Sequence, residues 1–227
     1  FGNLFLQALT SVTGSEIGAI KKAADILHVK GAVLPVSLDD AHVCAELEDG
    51  TIIKGETNID IPKHDGAIAI KKVFLEPKAT MYDEAYKAIL QADLIVFGPG
   101  DLYTSIVPNI LVGGFTQAIA KTKAKLLYIT NVMTKWGETD GFAASDFSRV
   151  LLGYLKKKKF DYVVCNDAKI SATLIKGYNK EKAYPVLVDK VKLKNYATNI
   201  ILKDVTNQSK IVRHDAKKLA QIILNLA

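Results

Sequence analysis

Residues 94–111 read Leu-Ile-Val-Phe-Gly-Pro-Gly-Asp-Leu-Tyr-Thr-Ser-Ile-Val-Pro-Asn-Ile-Leu. Four apolar residues run unbroken into two glycines, then two hydroxyl residues, then a helical pattern. A strand buried on both faces has this continuous apolar character, so the stretch predicts a strand–loop–helix unit with 94–97 central in a parallel sheet. Gly98 and Gly100 let the backbone turn sharply and approach a ligand with no Cβ in the way. Thr104 or Ser105 can cap the helix or turn a hydroxyl toward an anion at the same place. Pro108 falls in the first helical turn, where a missing N–H costs no internal bond. The helix is therefore expected to begin near Ser105 with free N–H groups aimed outward, into the main cleft. In open α/β sheets ligands bind beyond the carboxyl ends of strands, where this loop sits. A lone Gly-X-Gly would be no more than a tight, capped turn. The eight-residue run from Gly98 to Ser105, charged only at Asp101, favours a phosphate-cradling loop. Asp101 itself would repel a phosphate unless it faces a ribose, a sugar hydroxyl or a metal.

Outward from this loop, helical and strand periods alternate along the chain. Phe5, Ala8, Leu9 and Val12 mark one amphipathic helix, and Ile17, Ile20, Ala24 and Leu27 a second after Gly14-Ser15. Residues 31–36 read as a short strand. Strands over about 42–48 and 51–57 flank Asp49-Gly50, a strong hairpin signal, and another covers about 67–75. Strand–helix units follow: a helix through Tyr82 and Leu90, the strand at 93–97, a helix over about 106–121 and a strand at Lys125–Thr130. A helix over about 141–156, a strand at Tyr162–Cys165 and short strands near 185–189 and 198–203 come next. A last helix through Ala216 and Leu224 has Asp215 as its cap. The pattern predicts one α/β domain over residues 1–227: a Rossmann-like, mostly parallel sheet with helices on both faces and a small β-hairpin excursion near 40–75.

A second polar loop, Thr130 to Gly141, follows the next strand and should lie beside the first. Asn131 can read a base or sugar edge, because its amide both donates and accepts. Glu138, Thr139 and Asp140 equally suit an N-cap cluster for the helix that follows. Trp136 can stack on a ligand or simply pack. Asp39-Asp40 reads as a turn rather than a carboxylate pair.

Composition narrows the class. The 227 residues are 49% hydrophobic and 24% charged, with a formal charge of +6 carried mostly by lysine. Part of that charge, Lys156–Lys159, closes a predicted helix, where cations complement the carbonyl end of the dipole. No apolar run is long enough to span a bilayer and no signal-peptide pattern appears, so a cytoplasmic protein is expected. Two cysteines, Cys44 and Cys165, exclude a disulfide scaffold and are expected to be buried thiols. Basic residues are not interleaved with aromatics along one face, which argues against nucleic acid. The chain opens on Phe1 directly into a helical pattern, suggesting a preceding segment.

The run from Gly98 to Asn109 closely resembles the signature of the gluconeogenesis factor (YvcK-type) family, within the 2-phospho-L-lactate transferase (CofD)-like superfamily. Gly2-Asn3-Leu4, Val33-Leu34-Pro35, Ala45-Glu46-Leu47, Asn131-Val132-Met133-Thr134 with Gly137-Glu138-Thr139, and Arg213-His214-Asp215 resemble further family segments. The resemblance implies a cytoplasmic protein that binds UDP-sugars and influences central carbon metabolism and cell shape. It places a nucleotide diphosphate on the Gly-Pro-Gly loop. The implied ligand-binding residues are Gly98, Pro99, Gly100, Asp101, Leu102, Thr104, Ser105, Asn131 and Asn3, with no catalytic residue and possible homo-oligomers. The alternative is a transferase moving a phosphoryl-linked group from a nucleotide diphosphate to an acceptor alcohol. A purely scaffolding role is the third reading. Three departures from the family pattern stand out: Asp101 for Ser, Lys135-Trp136 for Gln-Pro, and no Gly-Gly-Gly-Thr-Gly or Asp-Asp-Gly-Gly segment.

His28, His42, His64 and His214 are scattered without the spacing of zinc ligands. Elemental analysis of the purified protein should therefore find no stoichiometric transition metal; zinc at one equivalent would contradict the reading.

Overall fold

The computed structural model describes residues 1–226. In chain order its elements are α1 (Gly2–Thr13), α2 (Glu16–Ile26), β1 (His42–Leu47), β2 (Ile52–Lys54), α3 (Glu56–Asp60), β3 (Ile70–Glu76), α4 (Asp83–Gln91) and β4 (Leu94–Phe97). A π-helical turn (Leu102–Ile106) leads into α5 (Val107–Ile110), followed by α6 (Phe115–Lys121), β5 (Lys125–Ile129), α7 (Ala144–Leu155), β6 (Phe160–Asn166), α8 (Ala172–Lys180), α9 (Lys190–Leu193), β7 (Ala197–Lys203), β8 (Thr206–Asn207), β9 (Arg213–His214) and α10 (Ala216–Leu224).

The main sheet is parallel, in the order β4-β5-β6-β7. Strands that advance in one direction through right-handed crossovers put their connecting helices on one face. Side-chain alternation along β5 shows both faces in use. Leu126 and Tyr128 join Phe97, Phe160, Phe147 and Leu151 in the larger core, which also takes in α5 and α7. Leu127 and Ile129 point the other way and, with Val164, meet Leu219, Ile222 and Ile223 of α10. Helix α10 is thus the cover of the second face, and its N-terminus is capped by Asp215, whose carboxylate accepts from Lys217 and Lys218 N–H.

The hairpin excursion forms a separate antiparallel sheet, β2-β1-β3. Its turn is set by Gly50, at φ 87, and by the Asp49 carboxylate, which accepts from Thr51 N–H at 2.9 Å. Val43, Ala45, Ile70 and Val73 pack into the larger core, so the excursion is bonded to the α5–α7 layer. β3 is an edge strand, and its buried Val73 N–H is satisfied by the Tyr154 hydroxyl of α7 at 2.8 Å. That bond ties the antiparallel sheet to α7.

Several expectations are corrected. β4 is an edge strand of the parallel sheet, not a central one, because each later strand is added on its β5 side. Residues 31–36 form no strand: Pro35 removes a ladder donor, and Val36 C=O accepts instead from Tyr82 N–H at 2.9 Å. The helix expected over 106–121 is split. Gly113 exchanges backbone bonds with Ala79 and Met81 there, and a Cβ on it would stand 3.1 Å from the Ala79 carbonyl. Residues 185–189 contribute a single bridge, Pro185 to Met133, instead of a strand. The expected N-cap cluster does not cap α7, whose start is closed by Asp146 reaching back to Ala143 N–H at 3.1 Å. Helices α8 and α9 occupy stretches to which the sequence reading assigned no helix. The Asp39 carboxylate makes a long-range contact, accepting from Thr80 N–H at 2.6 Å and from Thr80 Oγ1 at 2.7 Å.

Removing the Tyr154 hydroxyl leaves the Val73 amide buried and unpaired. Tyr154→Phe should cost about 1–3 kcal/mol, measured as a shift in the urea unfolding midpoint at unchanged slope.

Candidate functional site

A cleft of about 740 Å³ opens beyond the carboxyl ends of β4 and β5. Pro99, Gly100, Asp101 and Ser105 form one wall. Residues 131–135 form the second, and Tyr178, Glu181, Ala183, Val212, Arg213 and His214 close the third. Five of the nine residues read as ligand-binding therefore line it: Pro99, Gly100, Asp101, Ser105 and Asn131. Gly98 and Ser105 also border a neighbouring apolar groove of about 400 Å³ beneath β4. Leu102 and Thr104 are buried behind the wall, and Asn3 lies exposed on α1, outside the cleft lining.

The two glycines have different jobs. Gly98 sits at φ 82, and a Cβ there would approach the Ile129 carbonyl to 3.0 Å, so the backbone demands glycine. Gly100 has ordinary φ, and its nearest obstacle is Ser105 Cβ at 3.3 Å. The start of the helix also differs from expectation. Its first turn has π pitch, with Ser105 and Ile106 N–H both donating to the Asp101 carbonyl. Tyr103 N–H points to Glu138 Oε2 at 3.4 Å, and the Thr104 hydroxyl lies equally near Glu138 Oε1. The free amides expected to face an anion are thus partly spent on a carboxylate of the protein itself.

Glu138 is 4% exposed. Burial pushes its carboxyl above the usual range, opposed by the ammonium of Lys135. Lys135 Nζ lies 3.0 Å from Glu138 Oε1, 2.8 Å from Asp101 Oδ2, and against Asp60 Oδ1. Burial works against the ammonium, but Asp101, Asp60 and Glu138 outweigh it and keep it charged. The two departures from the family pattern noted in these loops, Asp101 and Lys135, are therefore in contact.

The second loop is pinned from both sides. Thr134 exchanges bonds with Tyr184, Val186 N–H donates to the Val132 carbonyl at 2.9 Å, and Thr139 Oγ1 accepts from Lys135 N–H. Trp136 packs on Gly66, where any Cβ would collide with the indole, and carries the Lys182 ammonium 3.8 Å above its ring. Within this fixed frame Asn131 Oδ1 is buried with no hydrogen-bond partner. An unsatisfied buried acceptor is unusual in a folded protein.

Tyr178, Arg213 and His214 were not read as ligand residues; Arg213-His214-Asp215 was noted only as a segment resembling the family, and the tertiary fold brings α8 and β9 to the cleft. The Tyr178 hydroxyl accepts from Val212 N–H at 3.0 Å, which fixes α8 against β9. His214 Nε2 donates to the Thr130 carbonyl at 3.1 Å. No helix among the described residues is long and apolar enough to cross a membrane, and both cysteines are buried thiols.

Residues 1–206 match the family model described as 2-phospho-L-lactate transferase CofD. The gluconeogenesis factor of Halalkalibacterium halodurans is 43% identical over 98% of this chain and 69% of its own length. That of Bacillus subtilis is 37% identical over 99% of this chain and 70% of its own. A crystal structure of a protein from Bacillus halodurans superposes with a TM-score of 0.91 at 40% identity, covering 98% of this chain and 72% of that one.

His214 yields a pH prediction. Burial lowers its pKa from 6.5, partly opposed by the bond to Thr130. The unfolded chain then binds the proton more readily, so stability rises with pH between the lowered value and 6.5. Urea unfolding should show stability lost as pH falls below 6.5, and His214→Gln, which keeps a donor to Thr130, should flatten that slope. An unchanged slope would assign it to another group.

Proposed function

The chain belongs to the 2-phospho-L-lactate transferase CofD family, and on that footing we propose that its cleft binds the nucleoside diphosphate of a UDP-sugar. The observation that carries this reading is the convergence of the Gly98–Ser105 and Asn131–Lys135 loops on one cleft, with the unpartnered Asn131 oxygen in its wall. Uridine and sugar rings both present N–H or O–H donors for that oxygen. The diphosphate is assigned to the side formed by Pro99, Gly100 and Ser105, whose hydroxyl is free to donate. Arg213 on the opposite wall supplies a positive charge for bidentate contact with phosphate oxygens.

Relatives carrying the name gluconeogenesis factor support a role tied to gluconeogenesis. We read the protein as a cytoplasmic nucleotide-sugar sensor that regulates central carbon metabolism and cell shape, acting by binding and not by turnover.

The test is calorimetric titration with UDP, UDP-sugars, GDP and inorganic diphosphate. Ser105→Ala and Asn131→Ala should each weaken the UDP-sugar by about 1–3 kcal/mol, the loss typical of one hydrogen bond to a charged or buried partner. Gly100→Val should abolish binding while circular dichroism stays native, since its φ is ordinary and its side chain would crowd Ser105. Unchanged affinity in folded Gly100→Val places the ligand elsewhere.

A further inference from the structure

Three carboxylates from elements far apart in the chain meet at one point. Asp60 closes α3, Asp101 belongs to the first loop and Glu138 to the second, and one oxygen of each lies within 4.8 Å of the others. Three such oxygens repel one another and are the donor set that hard divalent cations favour. The cluster already contains a cation. Lys135 Nζ touches all three carboxylates, and an ammonium has three N–H donors, so its hydrogen-bonding capacity is spent there. None remains to reach a ligand, although Lys135 lines the cleft. Its charge therefore acts through the carboxylates. Asp101 is the member of the trio on the cleft wall, 39% exposed at its side chain, whereas the Glu138 side chain is 1% exposed.

We propose that Lys135 is the resident cation of the Asp60–Asp101–Glu138 cluster, standing where a divalent ion would otherwise sit and making anion binding in the cleft independent of one. Lys135 is in this sense a positioning residue. It holds three elements at fixed separation and offsets the Asp101 charge that would face a phosphate. The ligand half of the proposal rests on the nucleotide reading above; the cation half does not.

The experiment is Mn²⁺ titration of the full chain, followed by the paramagnetic resonance of the free ion. Lys135→Gln should take up one Mn²⁺ per chain, Lys135→Gln combined with Asp101→Asn should lose it, and the unaltered protein and Lys135→Arg should show no such site. Uptake by the unaltered protein that Asp101→Asn removes overturns the proposal, as does folded Lys135→Gln that binds no Mn²⁺. If Lys135→Gln folds only when Mn²⁺ is supplied, the ion has replaced the ammonium and the proposal stands. If Mn²⁺ does not rescue its folding, the proposal fails. In the second arm, UDP should bind the unaltered protein equally with EDTA or Mg²⁺, and Lys135→Gln only with Mg²⁺. No UDP binding by the unaltered protein under either condition would sink the nucleotide reading and leave the Mn²⁺ arm to decide the cation.

Discussion

Everything at the cleft depends on the parallel pairing of the four strands β4 to β7. Parallel pairing of β4 to β7 brings every strand's carboxyl end to one rim, and crossovers in one direction, right-handed as a rule, send linking helices to one face. The loops after β4 and β5 then have to be neighbours, and the opposite face is left to α10 alone. The same constraint explains why β4 ends up at an edge. A strand can be fully apolar and still lie at the end of the order, because burial of its two faces is separate from pairing of its two edges.

Charge, more than the helix start, governs what the cleft can hold. A helix N-terminus is worth about 0.3–1 kcal/mol toward an anion. A unit charge at 4 Å in a near-surface setting is worth about 4 kcal/mol. An uncompensated Asp101 on the wall would therefore outweigh the contribution of the turn behind it. The Tyr103 amide, moreover, is directed at Glu138 and not at the cleft. The ion pair between Asp101 and Lys135 offsets part of that charge across the two loops, one ammonium being shared among three carboxylates.

The sequence was most legible where a local rule sufficed. The apolar run at 94–97, the Asp49-Gly50 turn, the Asp215 cap and the alternating strand–helix units are each decided within a few residues. The split after α5 was not, because it comes from Gly113 pairing with a segment more than thirty positions earlier. Helix α8 was passed over although Leu174, Ile175 and Tyr178 lie on one face, because none of its residues is fully buried. The third wall of the cleft was not read as such: Tyr178, Arg213 and His214 become neighbours of Asn131 only through the packing of α8 and β9. Glu138 and Thr139 were visible as polar residues, with capping of the next helix as one of two readings. Their partners, Tyr103 and the Lys135 amide, are fixed by the meeting of two loops.

The β excursion has a place in this arrangement that its position in the chain does not suggest. Its α3 supplies Asp60 to Lys135, and the connection to β3 lays Pro62 and Gly66 against the second loop. At Gly66 a Cβ would stand 2.3 Å from the Trp136 indole nitrogen, and at Gly137, held at φ 83, one would stand 2.6 Å from the Pro62 ring. These are contacts of shape with no slack, and interiors packed this closely transmit displacement instead of absorbing it. A shift of the excursion relative to the parallel sheet would move Lys135, and with it Asp101. The antiparallel sheet is accordingly part of the site's frame: it is bonded to α7 through Tyr154 at one side and to the ligand loops through Asp60, Pro62 and Gly66 at the other.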